Sequence, residues 1–158
     1  MTTGGRARAA KAPVAGVSEL GAGRGVLLDT GPLIALYARD DPKHASVVSW
    51  MAAFQGELYT VQPVLTEAAY FVPVRTRAAI ADLAASGRLS LHHPDAAGYS
   101  RMATLFAKYA DQSPDWADME LVWLAEATGI SRIATLDIAD FSVYRIHGRK
   151  RFELELLR

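Results

Sequence analysis

Cysteine is absent from the 158 residues, which removes disulfides, thiolate metal ligands and a cysteine nucleophile together and fits a reducing, cytoplasmic setting. Long apolar runs are absent as well; none approaches the roughly 20 residues that span a bilayer. Neither sign of charge is in excess, with Lys plus Arg and Asp plus Glu both at 17, so overall charge carries no signature of a polyanion binder. Histidine is scarce, four in all. His44 has no second histidine at ligand spacing and reads as a surface residue. His92 and His93 lie in an alternating stretch, where neighbours point to opposite faces of a strand, so they cannot share one ion. No P-loop, Gly-rich dinucleotide fingerprint or Ser-His-Asp set is present. What remains is a chain 51% hydrophobic, enough for one globular domain with its own core.

The most informative stretch is Gly25-Val26-Leu27-Leu28-Asp29-Thr30-Gly31-Pro32-Leu33-Ile34. Val26 to Leu28 form a continuous apolar run, as expected of a parallel strand covered on both faces. Thr30, Gly31 and Pro32 are helix-start residues. Asp29 therefore stands at the carboxyl end of a strand, where open α/β sheets place ligands. By position alone it is equally a helix cap.

Ahead of this stretch, residues 1–24 are rich in Gly and Ala with scattered Arg and Lys and no periodicity. They carry no compact apolar block of the signal-peptide kind and read as a flexible extension; residues 25–158 read as the domain. Within it, Leu33–Ala38 and Lys43–Phe54 read as helices, separated by Asp40-Asp41-Pro42. Leu58–Val61 is the second strand. A helix opened by Pro63 carries Glu67, with Val64, Leu65, Ala68 and Phe71 as its expected buried side. A helix over Arg75–Ser86 leads to a third strand from Leu89. A long helix to about Ala110 bears a Tyr99, Met102, Phe106, Tyr109 stripe that reads as core. Asp115 suits a helix N-terminus by the macrodipole. Asp118, one turn in, falls on the edge of the buried face of the helix that ends before Gly129. Ile130–Thr135 is the fourth strand and closes, like the first, on a hydroxyl and an acid, Thr135-Leu136-Asp137. Val143–Ile146 and Phe152–Leu157 are weaker strand candidates. The basic cluster Arg149-Lys150-Arg151 reads as a solvated hairpin tip, with RNA backbone contact as the functional alternative.

Strands alternating with helices in this order predict an α/β fold with a mainly parallel sheet. The carboxyl ends of the first and fourth strands then lie close together, and the helices bearing Glu67 and Asp118 start at the same edge. Asp29, Glu67, Asp118 and Asp137 converge. Packed without a cation, four carboxylates repel and raise one another's pKa. A hard divalent ion such as Mg²⁺ or Mn²⁺ removes that cost, and the chemistry it suits is phosphodiester hydrolysis.

These residues resemble a PIN-domain nuclease, and within that family a VapC-like toxin of a type II toxin–antitoxin pair. The matching pieces are Leu28-Asp29-Thr30-Gly31-Pro32-Leu33, Thr66-Glu67, Trp116-Ala117-Asp118 with Leu121-Val122-Trp123-Leu124-Ala125, and Thr135-Leu136-Asp137 with Asp140-Phe141. They occur in the family's order and cover nearly everything after Arg24. The resemblance implies a PIN-like sheet of four to five strands flanked by helices on both faces. It also implies a Mg²⁺- or Mn²⁺-dependent endoribonuclease, a homodimer, and inhibition by a small antitoxin. Carried over, Asp29, Glu67, Asp118 and Asp137 form the acidic quartet, with Thr30 and Thr135 as supporting hydroxyls. Asp115 is an alternative or companion to Asp118, and Asp140 shares the work of Asp137. The competing readings are a PIN-fold RNA-processing nuclease without antitoxin, a phosphatase using Asp29 as nucleophile, an aspartic protease built on Asp29-Thr30-Gly31, and a non-catalytic binding module. The phosphatase reading wants a second acid where Gly31 stands. The protease reading wants an all-β chain.

Overall fold

A computed structural model of the protein describes residues 23–157. One sheet holds β1 (Gly25–Leu28), β2 (Glu57–Val61), β3 (Leu89–His92), β4 (Arg132–Ala134) and β5 (Glu153–Leu154). Its spatial order is β3-β2-β1-β4-β5, and every pairing is parallel. Among the described residues there are seven α-helices: α1 (Thr30–Tyr37), α2 (His44–Ala53), α3 (Gln62–Phe71), α4 (Val74–Ala85), α5 (Ala96–Lys108), α6 (Trp116–Thr128) and α7 (Ile138–Val143). The expected α/β architecture is the one that forms. The extension expected over residues 1–24 lies, but for Gly23 and Arg24, outside the described residues.

All four residues of β1 are buried, as its unbroken apolar run requires of a strand covered on both faces. From β1 the chain steps outward to β2 and β3, then crosses to β4 and β5 on the other side. Right-handed crossovers put the helices of these two journeys on opposite faces. The direction reverses between β1 and β4, so the crevice at their carboxyl ends is the topological switch point of the sheet. Asp29 follows β1 there and Thr135 follows β4, tied by the Asp29 N–H donating to the Ala134 carbonyl at 3.0 Å.

Helix α6 is the most enclosed of the helices: every residue from Ala117 to Glu126 is buried. Three of them are acids, and each has its own donor. Glu126 takes both arms of the Arg101 guanidinium, at 2.7 and 2.8 Å. Glu120 accepts from the Trp116 indole N–H at 2.8 Å, and Asp118 from the Tyr144 hydroxyl at 3.0 Å. The Arg101 charge and the His147 amide hold the Glu126 carboxyl below its ordinary range, against the effect of burial. Asp118 has no cation of that kind.

Several local expectations are corrected. Val143–Ile146 is not a strand; residues 138–143 form α7, whose N-cap Asp137 accepts from the Asp140 N–H at 3.0 Å. The apolar residues there serve a helix with i, i+3 spacing, which turns Phe141 and Tyr144 into the core. Phe152–Leu157 supplies only the two-residue β5, followed by a 3₁₀ turn. Phe71 is largely exposed, because α3 ends on it and Val72 takes the buried place. Tyr99 is half-exposed; the inner face of α5 is carried by Gly98, Met102 and Leu105. His44 is half-buried, its Nδ1 2.7 Å from the Ala35 carbonyl, joining α2 to α1.

Gly98 is where α5 and α6 approach. A Cβ at this position falls 2.7 Å from Pro94 Cβ and 2.7 Å from Trp123 Nε1. Gly98→Ala gains about 1 kcal/mol of helix propensity and meets an overpacking cost of about 1–3 kcal/mol. The expected outcome is a net loss of up to about 2 kcal/mol, seen as a lower melting temperature. A variant melting at or above wild type would show that the two helices have room to part.

Candidate functional site

Asp29 leaves β1 as the N-cap of α1 and is 7% exposed. Its Oδ1 accepts from the Thr30 N–H at 2.7 Å, and its Oδ2 from the Thr135 hydroxyl at 2.7 Å. Thr135 is itself buried, and its hydroxyl accepts from the Asp137 N–H at 2.9 Å. One threonine thus couples the turn after β4 to the acid after β1. The Thr30 hydroxyl donates to Glu67 Oε2 at 2.9 Å, which draws Glu67 of α3 toward Asp29 and leaves it half-buried. On α6, Asp115 is the N-cap and accepts from the Asp118 N–H at 2.8 Å. Asp118 is 6% exposed, with Oδ2 held by Tyr144.

The electrostatics show which of these groups share a field. Burial raises Asp29 to about 6; the hydrogen bonds from Thr135 and Thr30 oppose the rise, and the charges of Asp115 and Glu67 add to it. Burial raises Asp118 further, to about 8, reinforced by Asp115 and Asp29, opposed by the Tyr144 hydroxyl, and reinforced again by Asp140. Glu67 is raised by burial and by Asp115, against the Thr30 hydrogen bond. Asp140 is raised by partial burial, then by Asp137 and Asp115. The Tyr144 hydroxyl is raised by burial and by the neighbouring Asp118. Every charge acting on Asp29, Glu67 and Asp118 is negative. The ion pairs among the described residues, Arg101–Glu126 and Arg132–Glu155, are elsewhere.

The structure therefore brings Asp29, Thr30, Glu67, Thr135, Asp115 and Asp118 into one neighbourhood. Asp137 reaches it through its backbone N–H on Thr135; its carboxylate is exposed and turned to the start of α7. Asp140 is half-buried and is the α7 acid whose field Asp118 feels. Tyr144 is the participant that the sequence did not announce. It lies 26 residues from Asp118, and no local pattern connects them.

The donor set is made of hard carboxylate oxygens, two of them buried and none facing a basic partner, which is chemistry suited to a hard divalent cation. As posed, no group of three or more Asp, Glu, His or Cys side chains is arranged to hold a metal ion among the described residues. The reason is visible in the bonds: the carboxylates of Asp29, Glu67, Asp115 and Asp137 are turned to caps and hydroxyls. The charge balance fits a cation; taking one up calls for side-chain rotation.

A family model described as PIN domain matches residues 26–146. Ribonuclease VapC26 of Mycobacterium tuberculosis is 30% identical over 131 residues, which span 80% of this chain and 97% of that protein. Among solved structures, Mycobacterium tuberculosis VapC20, titled a Sarcin-Ricin loop cleaving toxin, superposes with a TM-score of 0.67 at 16% identity. It covers 77% of this chain and 97% of its own, and at that identity the likeness is one of fold.

Proposed function

This chain belongs to the PIN domain family, and from that premise we propose that it is a divalent-metal-dependent endoribonuclease, the toxin of a toxin–antitoxin pair. The observation that carries the reading is the buried acidic neighbourhood at the sheet's switch point, with Asp118 pushed up to about 8 and no basic partner. The similarity to a ribonuclease over four-fifths of the chain supports the same reaction class.

The geometry supports the following residue roles. Asp29 and Asp118 are the principal ligands, since they are the two buried acids of the cluster and share a field. Glu67 and Asp115 flank them, and Asp137 and Asp140 close the outer rim. Thr135 and Thr30 aim carboxylate oxygens by donating to them. Tyr144 fixes the Asp118 rotamer. A bound Mg²⁺ or Mn²⁺ would supply the Lewis acid that neutralises phosphate charge and activates water for in-line attack. The partners implied are an RNA substrate, a small antitoxin and a second copy of the chain. Tyr70, Phe71 and Val74, largely exposed at the junction of α3 and α4, give the surface an apolar patch of the kind that protein partners cover. No helix among the described residues is long and apolar enough to cross a membrane.

The test is cleavage of labelled RNA by the purified full chain, with Mn²⁺ or Mg²⁺ and with EDTA. If the cation contributes about 3 kcal/mol or more to the transition state, EDTA slows the reaction at least about a hundredfold. Equal rates in EDTA, or no cleavage with either ion, would overturn the reading.

A further inference from the structure

The acids gather at the carboxyl edge of the sheet, and the cationic turn of Arg149, Lys150 and Arg151 does not share it. Glu153 of β5 pairs with Arg132 at the start of β4, and the His147 N–H donates to Glu126 Oε1 at 2.9 Å near the C-terminal end of α6. Both ties hold that turn at the amino edge. What the carboxyl edge presents beside the acids is aromatic. Trp116 is the first residue of α6 and follows the N-cap Asp115 directly, so their Cα atoms are about 3.8 Å apart. Asp115 is the acid whose charge acts on Asp29, Glu67 and Asp118 alike. A second tie agrees. Glu120, which accepts from the Trp116 indole, feels the charge of His93, and His93 follows the carboxyl end of β3.

Trp116 is 53% exposed, whereas Trp123 is buried and Trp50 half-buried. The exposed ring is nonetheless held in place. Its N–H donates to Glu120 Oε2 at 2.8 Å, and that carboxyl is itself buried. From α5, Phe106 and Tyr99 meet the indole at centroid distances of 5.6 and 6.5 Å, tilted by 45° and 48°. These are tilted contacts rather than parallel stacks, and half of Trp116 stays open to water. Tyr99 is 48% exposed next to it. A fixed aromatic surface facing solvent is what an unpaired base stacks on.

We propose that Trp116, with Tyr99 beside it, is the platform on which an unpaired base of the RNA stacks next to the scissile phosphate. The proposal rests on the endoribonuclease reading and adds to it that the strand is single where it meets the acids. Carboxylates repel a phosphate backbone until a cation binds, and stacking supplies an attraction that carries no charge. Every base has a π-face, so the contact tolerates any sequence. In a duplex the bases are already stacked on one another, and the platform has nothing to receive.

The experiment is steady-state cleavage of a labelled mixed-sequence single-stranded oligoribonucleotide by the full chain with Mn²⁺. Trp116→Leu and Trp116→Phe are compared with wild type. Both lose the bond to Glu120 and keep apolar cover for α5; only phenylalanine keeps a ring. For W116L, KM is expected to rise roughly 5- to 150-fold, the range of one lost base stack. Its kcat should change little, because the stack is made in ground and transition state alike. W116F should stay close to wild type. The ratio of the two KM values should hold from low to high salt, since no phosphate contact is removed. Trp116 also reports on itself: with excess oligoribonucleotide, tryptophan emission should fall in wild type and hardly in W116F, whether or not the leucine variant folds well. A wild-type KM for W116L, equal losses in W116L and W116F, or no quenching in wild type would each overturn the platform and leave the nuclease reading standing. So would a KM change that tracks loss of a dimer in sedimentation, which would give this surface to a second copy of the chain. If wild type fails to cleave RNA with either Mn²⁺ or Mg²⁺, both readings fall.

Discussion

Asp118→Asn is expected to be inactive and, at neutral pH without metal, more stable than wild type. The two effects have one cause. Asp118 is buried on α6, and its carboxyl is raised to about 8, first by burial and then by the charges of Asp115 and Asp29. In the unfolded chain it ionises near the ordinary 3.8. At pH 7 the unfolded state therefore gains from ionisation that the folded state forgoes. Asparagine removes that difference and keeps an oxygen able to accept from Tyr144. The stabilisation expected is on the order of 3 kcal/mol, which in a domain of this size raises the melting temperature by roughly 6–12 °C. The same change removes a hard anionic ligand, and cleavage should fall roughly 10²–10³-fold. Asp29→Asn should match the loss of activity with no comparable gain in stability, because its carboxyl is raised only to about 6 and an amide can accept only one of the two hydrogen bonds that its oxygens take from Thr30 and Thr135. Wild-type cleavage by either variant would remove these acids from the site. Lost activity with no gain in stability would leave the nuclease reading but deny the charge frustration on which the roles of Asp29 and Asp118 are argued.

The second large effect is on pH dependence. Both acids are raised in the folded state, so their contribution is fully present below about 4, where both states are protonated. It is lost as pH rises through about 6 for Asp29 and about 8 for Asp118. Glu126 works in the opposite direction. Its carboxyl is lowered, so its contribution is present above its unfolded value and lost as pH falls toward its folded one. Between about pH 5 and 8.5, in EDTA, the melting temperature should decline, as stability falls by up to about 1.4 kcal/mol per pH unit for each acid in its window. Saturating Mn²⁺ should restore stability at pH 8 far more than at pH 5, because ligands must be ionised to bind. Melting temperatures rising steadily from pH 5 to 8.5 in EDTA would contradict the scheme.

The acids differ in how far the chain alone reveals them. Asp29 was legible because its neighbours are: an apolar run before it and Thr30-Gly31-Pro32 after it leave a strand-to-helix junction as the natural reading. Asp118 was legible from helical spacing, which set it at the buried edge of a strongly apolar helix. Glu67 read equally as a solvated residue, and it takes the Thr30 hydroxyl, 37 positions away, to hold it inward. In sequence, Asp137 was the fourth acid and Asp140 a neighbour sharing its work. In the fold, Asp137 caps α7 and is exposed, while Asp140 is half-buried in the field of Asp118.

By itself the sequence determined the architecture and named the candidate acids, because both readings rest on local physics: a strand covered on both faces is apolar throughout, a helix repeats every 3.6 residues, and parallel strands need crossovers. Only tertiary structure decided which groups meet. Tyr144 reaches Asp118 and Thr135 reaches Asp29 across 26 and 106 positions of chain, and the hairpin of Arg149 to Arg151 is fastened to α6 through Glu126. Those contacts follow from the order of strands in the sheet, and the desolvation that raises Asp29 and Asp118 exists only once the chain has closed around them.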